Sequence, residues 1–144
     1  MLVLMGDFNA KVGTGSEETK GIMGTHGIEG INERGERLLD FCCMNNLMIT
    51  NTRFKQAKAR RTWSWESPDG RTHNLIDYII VNRKLKGGVR NSRAFPSADV
   101  GSDHQLIMMN VRLKLKAKKG TVRTRKINVE ALKNEVIKKH FKQE

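Results

Sequence analysis

The sequence predicts an α+β fold, a layered α/β arrangement in which sheet dominates, and three features predict it. Short apolar runs recur along the chain between polar turns, one segment carries a helical apolar face, and the later strands follow one another as an antiparallel-looking set. The 144 residues, 38% hydrophobic and 29% charged, suit one folded unit.

The opening apolar run, Met1 to Met5, reads as a buried strand that stops at Gly6 and leaves Asp7, Phe8 and Asn9 at its end. Residues 13 to 30 are rich in Gly, Thr and Glu without a steady period, which predicts a long loop of the kind that lies over a site. Asn32 is placed to cap a helix over 33–45, whose apolar face is Leu38, Leu39 and Cys42 and which Asn45-Asn46 terminates. Strands are predicted at Leu47 to Asn51 and at Thr62 to Trp65, with Ser67-Pro68-Asp69-Gly70 as a turn. Leu75 to Val81 is the clearest strand, apolar nearly throughout except for Asp77 in its middle. A short strand follows from Val89 to Ala94, and the polar turn Gly101-Ser102-Asp103-His104 leads into a last strand running to Leu115. The organisation expected is a domain at 1–115, a basic linker at 116–127 and a helical segment at 128–144 that buries Leu132, Val136, Ile137 and Phe141.

No apolar run approaches the roughly 20 residues that cross a bilayer, and the opening stretch lacks the basic start and cleavage site of a signal peptide. The expectation is an intracellular protein, nuclear rather than cytoplasmic, with no membrane partner. Cys42 and Cys43 are adjacent within an apolar run, which suits neither a structural disulfide nor a zinc site; both are expected as reduced core or near-core thiols. Lys and Arg number 27 against 15 acidic residues, a net charge of +12, and 12 basic against 3 acidic residues lie from Arg112 onward. A second basic cluster is Arg53, Lys55, Lys58, Arg60 and Arg61. Such clusters favour phosphate contacts through counterion release, so nucleic acid is the leading partner; a merely solvated tail is the alternative reading.

Three segments set ionisable side chains beside apolar strands: Asp7 with Asn9, Asp77, and Asp103 with His104. Taken singly, Asp7 reads as a turn residue and His104 as a surface histidine. Asp77 is harder to dismiss, because a carboxylate among Leu, Ile, Tyr and Val is costly to desolvate unless a cation, metal or donor meets it. The economical solution pairs Asp77 with one imidazole nitrogen of His104 and leaves the other for a substrate, for charge stabilisation or general acid/base work. Asp7 is then suited to accept a proton from an attacking water, Asn9 to orient water or a phosphate oxygen, and Asp103 to offer a hard oxygen to Mg²⁺.

Gly6-Asp7-Phe8-Asn9, Ile76-Asp77-Tyr78-Ile79 and Ser102-Asp103-His104, in this order, resemble the three C-terminal signature motifs of the DNase I-like endonuclease/exonuclease/phosphatase superfamily. The longer stretches Met5 to Gly13 and Thr62 to Gly70 are similar to endonuclease domains of non-LTR retrotransposons, and Leu132 to Phe141 to the region joining these to a reverse transcriptase. The resemblance implies the C-terminal half of a two-sheet sandwich flanked by helices, with mostly antiparallel strands. It implies an endonuclease of the apurinic/apyrimidinic type, dependent on Mg²⁺ or Mn²⁺ and acting on DNA. Asp7 matches the residue that positions or deprotonates water, Asn9 the phosphate contact, Asp77 the partner of His104, and Asp103 the metal-holding carboxylate. Two departures stand out. Leu106 replaces a frequent proline, and only five residues precede Gly6, where the family has a first half with an early Asn and a metal-binding Glu. The expectation is therefore a hydrolase impaired alone and completed by a polypeptide supplying that half. The alternative is an inactive relic that binds nucleic acid or a partner.

Overall fold

A computed structural model describes residues 2–98 and 101–113, together with Glu130 and Lys133. The chain divides into two compact units, Met1–Lys114 and Leu115–Glu144. The expected basic linker and terminal helix lie outside the described residues.

The first unit contains seven strands and one α-helix among its described residues: β1 (Val3–Asp7), α1 (Glu33–Met44), β2 (Leu47–Ile49), β3 (Trp65–Glu66), β4 (His73–Asn74), β5 (Asp77–Asn82), β6 (Val89–Phe95) and β7 (Leu106–Val111). The fold is α+β, and every paired strand runs antiparallel. A central sheet has the order β1-β5-β2, while β3 pairs β4 and β6 pairs β7 as separate ribbons.

Alternation along β5 explains why it lies in the middle. Tyr78 and Ile80 join Leu47, Ile49, Leu38, Cys42, Ile22 and Met23 in one core cluster, beneath α1 and the long loop. Ile79 and Val81 face the other way, into a smaller cluster with Met48 and Val89, against which Ile107 and Met109 of β7 pack. A strand apolar on both faces needs cover on both, and α1 and the β6–β7 ribbon supply it.

Helix α1 begins where its cap predicts: the Asn32 Oδ1 accepts the Gly35 N–H at 2.8 Å. Gly35 itself is obligatory, because a Cβ there would fall on the Lys11 carbonyl.

Five expectations need correction. The opening strand is not buried: among the described residues it pairs with β5 alone, and Met5 is 63% exposed. The 13–30 loop does not lie over a site but runs beside β2. The Ile49 N–H donates to the Ile22 carbonyl at 2.7 Å, and His26 and Gly24 donate to Thr52. Its apolar Ile22 and Met23 draw it there. The strand expected at Thr62 to Trp65 shrinks to Trp65–Glu66, because Ala59–Arg61 winds into a 3-10 turn that Thr62 closes. Asp77 opens β5 rather than sitting in its middle, since the Ile76 and Asp77 N–H groups donate to the Ser64 hydroxyl, at 3.1 and 3.0 Å. Cys42 is fully buried as expected, but Cys43, the next residue of α1, is exposed. No helix of the described residues is long and apolar enough to cross a membrane.

Candidate active site

Register brings the first two motifs together. Residues directly opposite in an antiparallel pair share a face, and Asp7 lies opposite Asp77 at the end of the β1–β5 ladder. Facing carboxylates repel, so each needs its own compensation. For Asp7 the compensation is local. Its Oδ1 accepts the Asn9 N–H at 2.8 Å and its Oδ2 the Asn9 amide at 3.1 Å. This clasp requires Asn9 at a φ of 49°, in the left-handed region that Asn tolerates, and follows Gly6 at a φ of 153°, which a side chain disfavours. The helix cap supports the same loop: Asn32 accepts from the Lys11 N–H at 2.9 Å and donates to the Asn9 carbonyl at 3.2 Å.

Asp77 is buried, 9% exposed, and its Oδ2 lies 3.0 Å from Nδ1 of His104. This contact orients the ring and leaves Nε2 on the edge away from the carboxylate. The backbone beneath is held firmly. Ser64, fully buried, accepts from Asp77, Asn51 Oδ1 accepts the Ile79 N–H at 2.8 Å, and the Tyr78 hydroxyl lies 2.6 and 3.0 Å from the Leu75 and Ala10 carbonyls. Burial holds the Tyr78 phenol well above its ordinary range, so it acts there as a neutral donor.

Asp103 is exposed, yet it is not loose. The Trp65 indole N–H donates to its Oδ2 at 2.8 Å, its carbonyl accepts from Glu66, and a bridge joins Trp65 to His104. A strand residue thus pins the loop that carries both Asp103 and His104. His104 lines two cavities. One, of about 330 Å³, includes Asn9, Lys11, Trp65 and Asn74; the other, of about 390 Å³, includes Trp63, Ser102 and Asp103.

Among the described residues no three Asp, Glu, His or Cys side chains form a metal cage. The donors present are nevertheless of the right kind for Mg²⁺, which binds through one or two carboxylates and completes its shell with water and substrate phosphate. Asp103 is the exposed carboxylate of that kind beside His104.

The residues of the basic cluster differ in their surroundings. Arg53 is half-buried with a guanidinium nitrogen 3.1 Å from the Met48 sulfur, and desolvation lowers its pKa from the usual arginine value. Lys55 is exposed and stands apart from both His104 cavities, whereas Lys58, Arg60 and Arg61 line one cleft together. Sequence reasoning missed Ser64, Trp65 and Asn51, whose hydrogen bonds hold the site's backbone and its Asp103 loop. The small Ser64 between two tryptophans was the available signal.

Residues 1–108 match the family model described as endonuclease-reverse transcriptase. The chain belongs to that family. Membership in this endonuclease/exonuclease/phosphatase-like group covers all three motifs, from Asp7 to His104. Among relatives, the chain is 45% identical over 144 residues to craniofacial development protein 2 of Bos taurus, covering 99% of this chain and 24% of that protein. It is 48% identical over 116 residues to the protein of that name from Tragulus javanicus, covering 81% of this chain and 20% of the relative. The chain thus spans about a quarter or less of the length of these relatives.

Proposed function

We propose that this chain carries the C-terminal catalytic motifs of a Mg²⁺- or Mn²⁺-dependent phosphodiester hydrolase, a DNA endonuclease of the apurinic/apyrimidinic, retrotransposon-derived type. The observation that carries the reading is the 3.0 Å contact of buried Asp77 with His104, set across the ladder from Asp7. In this reading Asp7 takes the proton of the attacking water, and Asn9 orients the phosphate for in-line attack. Nε2 of His104 stabilises charge developing on the phosphoryl oxygens, while Asp77 holds the ring and its positive form. Asp103 contributes a ligand to the metal, which when bound neutralises phosphate charge.

A second reading concerns completion of the fold. Among the described residues β1 is paired on one side only, and Leu2 before it and Met5 within it are exposed, an open edge that favours addition of a strand from another polypeptide. That polypeptide is the source proposed for the family's N-terminal half.

The test is nicking of supercoiled DNA with Mg²⁺ or with EDTA, by the 144-residue chain alone and with a family N-terminal half added. Metal-dependent nicks are expected, reduced by about 10²–10⁴-fold in Asp77→Asn and His104→Ala, the range for general acid/base and electrostatic groups. Nicking that ignores both substitutions, or persistent inactivity after completion, would overturn the hydrolase and leave a metal-independent binding protein.

A further inference from the structure

A cleft of about 140 Å³ beside the site is lined by Lys58, Arg60 and Arg61 from one segment and by Arg93 from β6. The remaining lining residues are Phe95, Pro96 and Ser97. Among the described residues no carboxylate lines it, and none of the four cations forms an ion pair. Four like charges around one small concavity repel, and the repulsion persists until an anion enters. The volume is below the range typical of organic ligands and suits a group the size of a phosphate.

The cleft is also built. The 3-10 turn closes with the Arg61 N–H on the Lys58 carbonyl at 3.0 Å and the Thr62 N–H on the Ala59 carbonyl at 2.8 Å, which fixes the spacing of three cations. Arg93 stacks over the Phe95 ring at 5.3 Å, an arrangement that orients a guanidinium without neutralising it. Arg60 and Pro96 line this cleft and also the larger cavity that holds Asp103 and His104. The two spaces are therefore adjoining.

From this juxtaposition we infer that the Lys58–Arg60–Arg61–Arg93 cleft is an anchoring site for a non-reacting phosphodiester of a nucleic acid strand whose reacting phosphate lies at His104. The inference rests on the proposed nucleic-acid substrate and deepens it: it assigns Arg93 to the interface and leaves Arg53 out. Phosphate contacts of this kind set register and affinity without reading sequence.

Binding of a short fluorescent DNA duplex to the whole 144-residue chain, followed by anisotropy in EDTA over a range of salt, tests it apart from cleavage. Arg93→Gln and Arg61→Gln are each expected to weaken binding about 3–10-fold and to lower the salt slope by about 1, the signature of one lost phosphate contact. Arg93→Lys should keep the slope, since it keeps the charge. The control is Arg90→Gln, which removes the same charge from an exposed position of the same strand outside the cleft and should leave the slope unchanged. Equal losses at Arg90 and Arg93, or no DNA binding by the wild type, would overturn the anchoring site. A thermal melt of each variant separates lost contact from lost fold. Loss of the Arg93 signature beside intact Asp77-dependent nicking sinks this inference alone, and the converse sinks the hydrolase alone.

Discussion

β1 and β5 are neighbours in one ladder and both read as apolar runs, yet they occupy different environments. From Asp77 to Val81 β5 is buried throughout, with Ile79 and Ile80 fully inaccessible, whereas β1 shows Met5 and Asp7 to solvent. The difference is position. β5 has a strand on each side and cover on each face; β1 has one paired edge, and the β6–β7 ribbon packs over Ile79 and Val81 without burying Met5. Hydropathy states what a strand can bury, and the neighbours decide what it does bury. The signature motifs divide along this line, Asp77 on the covered strand and Asp7 on the open one.

Substitutions can break or sharpen that contrast. Ile80→Ala on β5 is expected to cost about 2–5 kcal/mol in urea denaturation, the range for emptying a fully buried site. Ser64→Ala, which leaves the Ile76 and Asp77 N–H groups without their acceptor, should cost about 1–3 kcal/mol. It should also loosen the Asp77–His104 contact, visible as a shift of the His104 ring resonances. On β1, Met5→Ala should stay within about 0.5 kcal/mol; a loss as large as at Ile80 would mean that the open face is covered in solution.

The smallest effect on stability concerns the paired cysteines. Alkylation at mildly alkaline pH should modify exposed Cys43 and spare Cys42, whose thiol burial pushes from 9.0 up to about 11. Because the folded value is raised, its contribution to stability is full below the unfolded value and is lost as pH rises through about 11. Mass spectrometry showing equal modification of both in the native protein would refute the burial assignment.

Much of this architecture was legible residue by residue. Asn32 announced the start of α1, Asn45-Asn46 its end, and the oddity of a carboxylate in an apolar strand required a partner such as His104. What escaped the sequence were placements between segments of unlike spacing: the bonds of Ser64 under Asp77 and of Trp65 on Asp103, and Arg93 lining one cleft with Arg61. Local periodicity carries no information about such partners. The Arg53 to Arg61 cluster was legible as charge alone, and only the fold set Arg53 beside a core methionine sulfur while Lys58, Arg60 and Arg61 share a cleft.

The sequence by itself determined the α+β class, the family motifs and which residues are candidates for chemistry, because charge, alternation and capping are local properties. Only the tertiary structure decided that Asp7 faces Asp77, that β1 is an edge, and that Arg93 completes a cationic cleft. Those depend on strand order and register, which are set by how separate apolar faces share cover and hydrogen bonds.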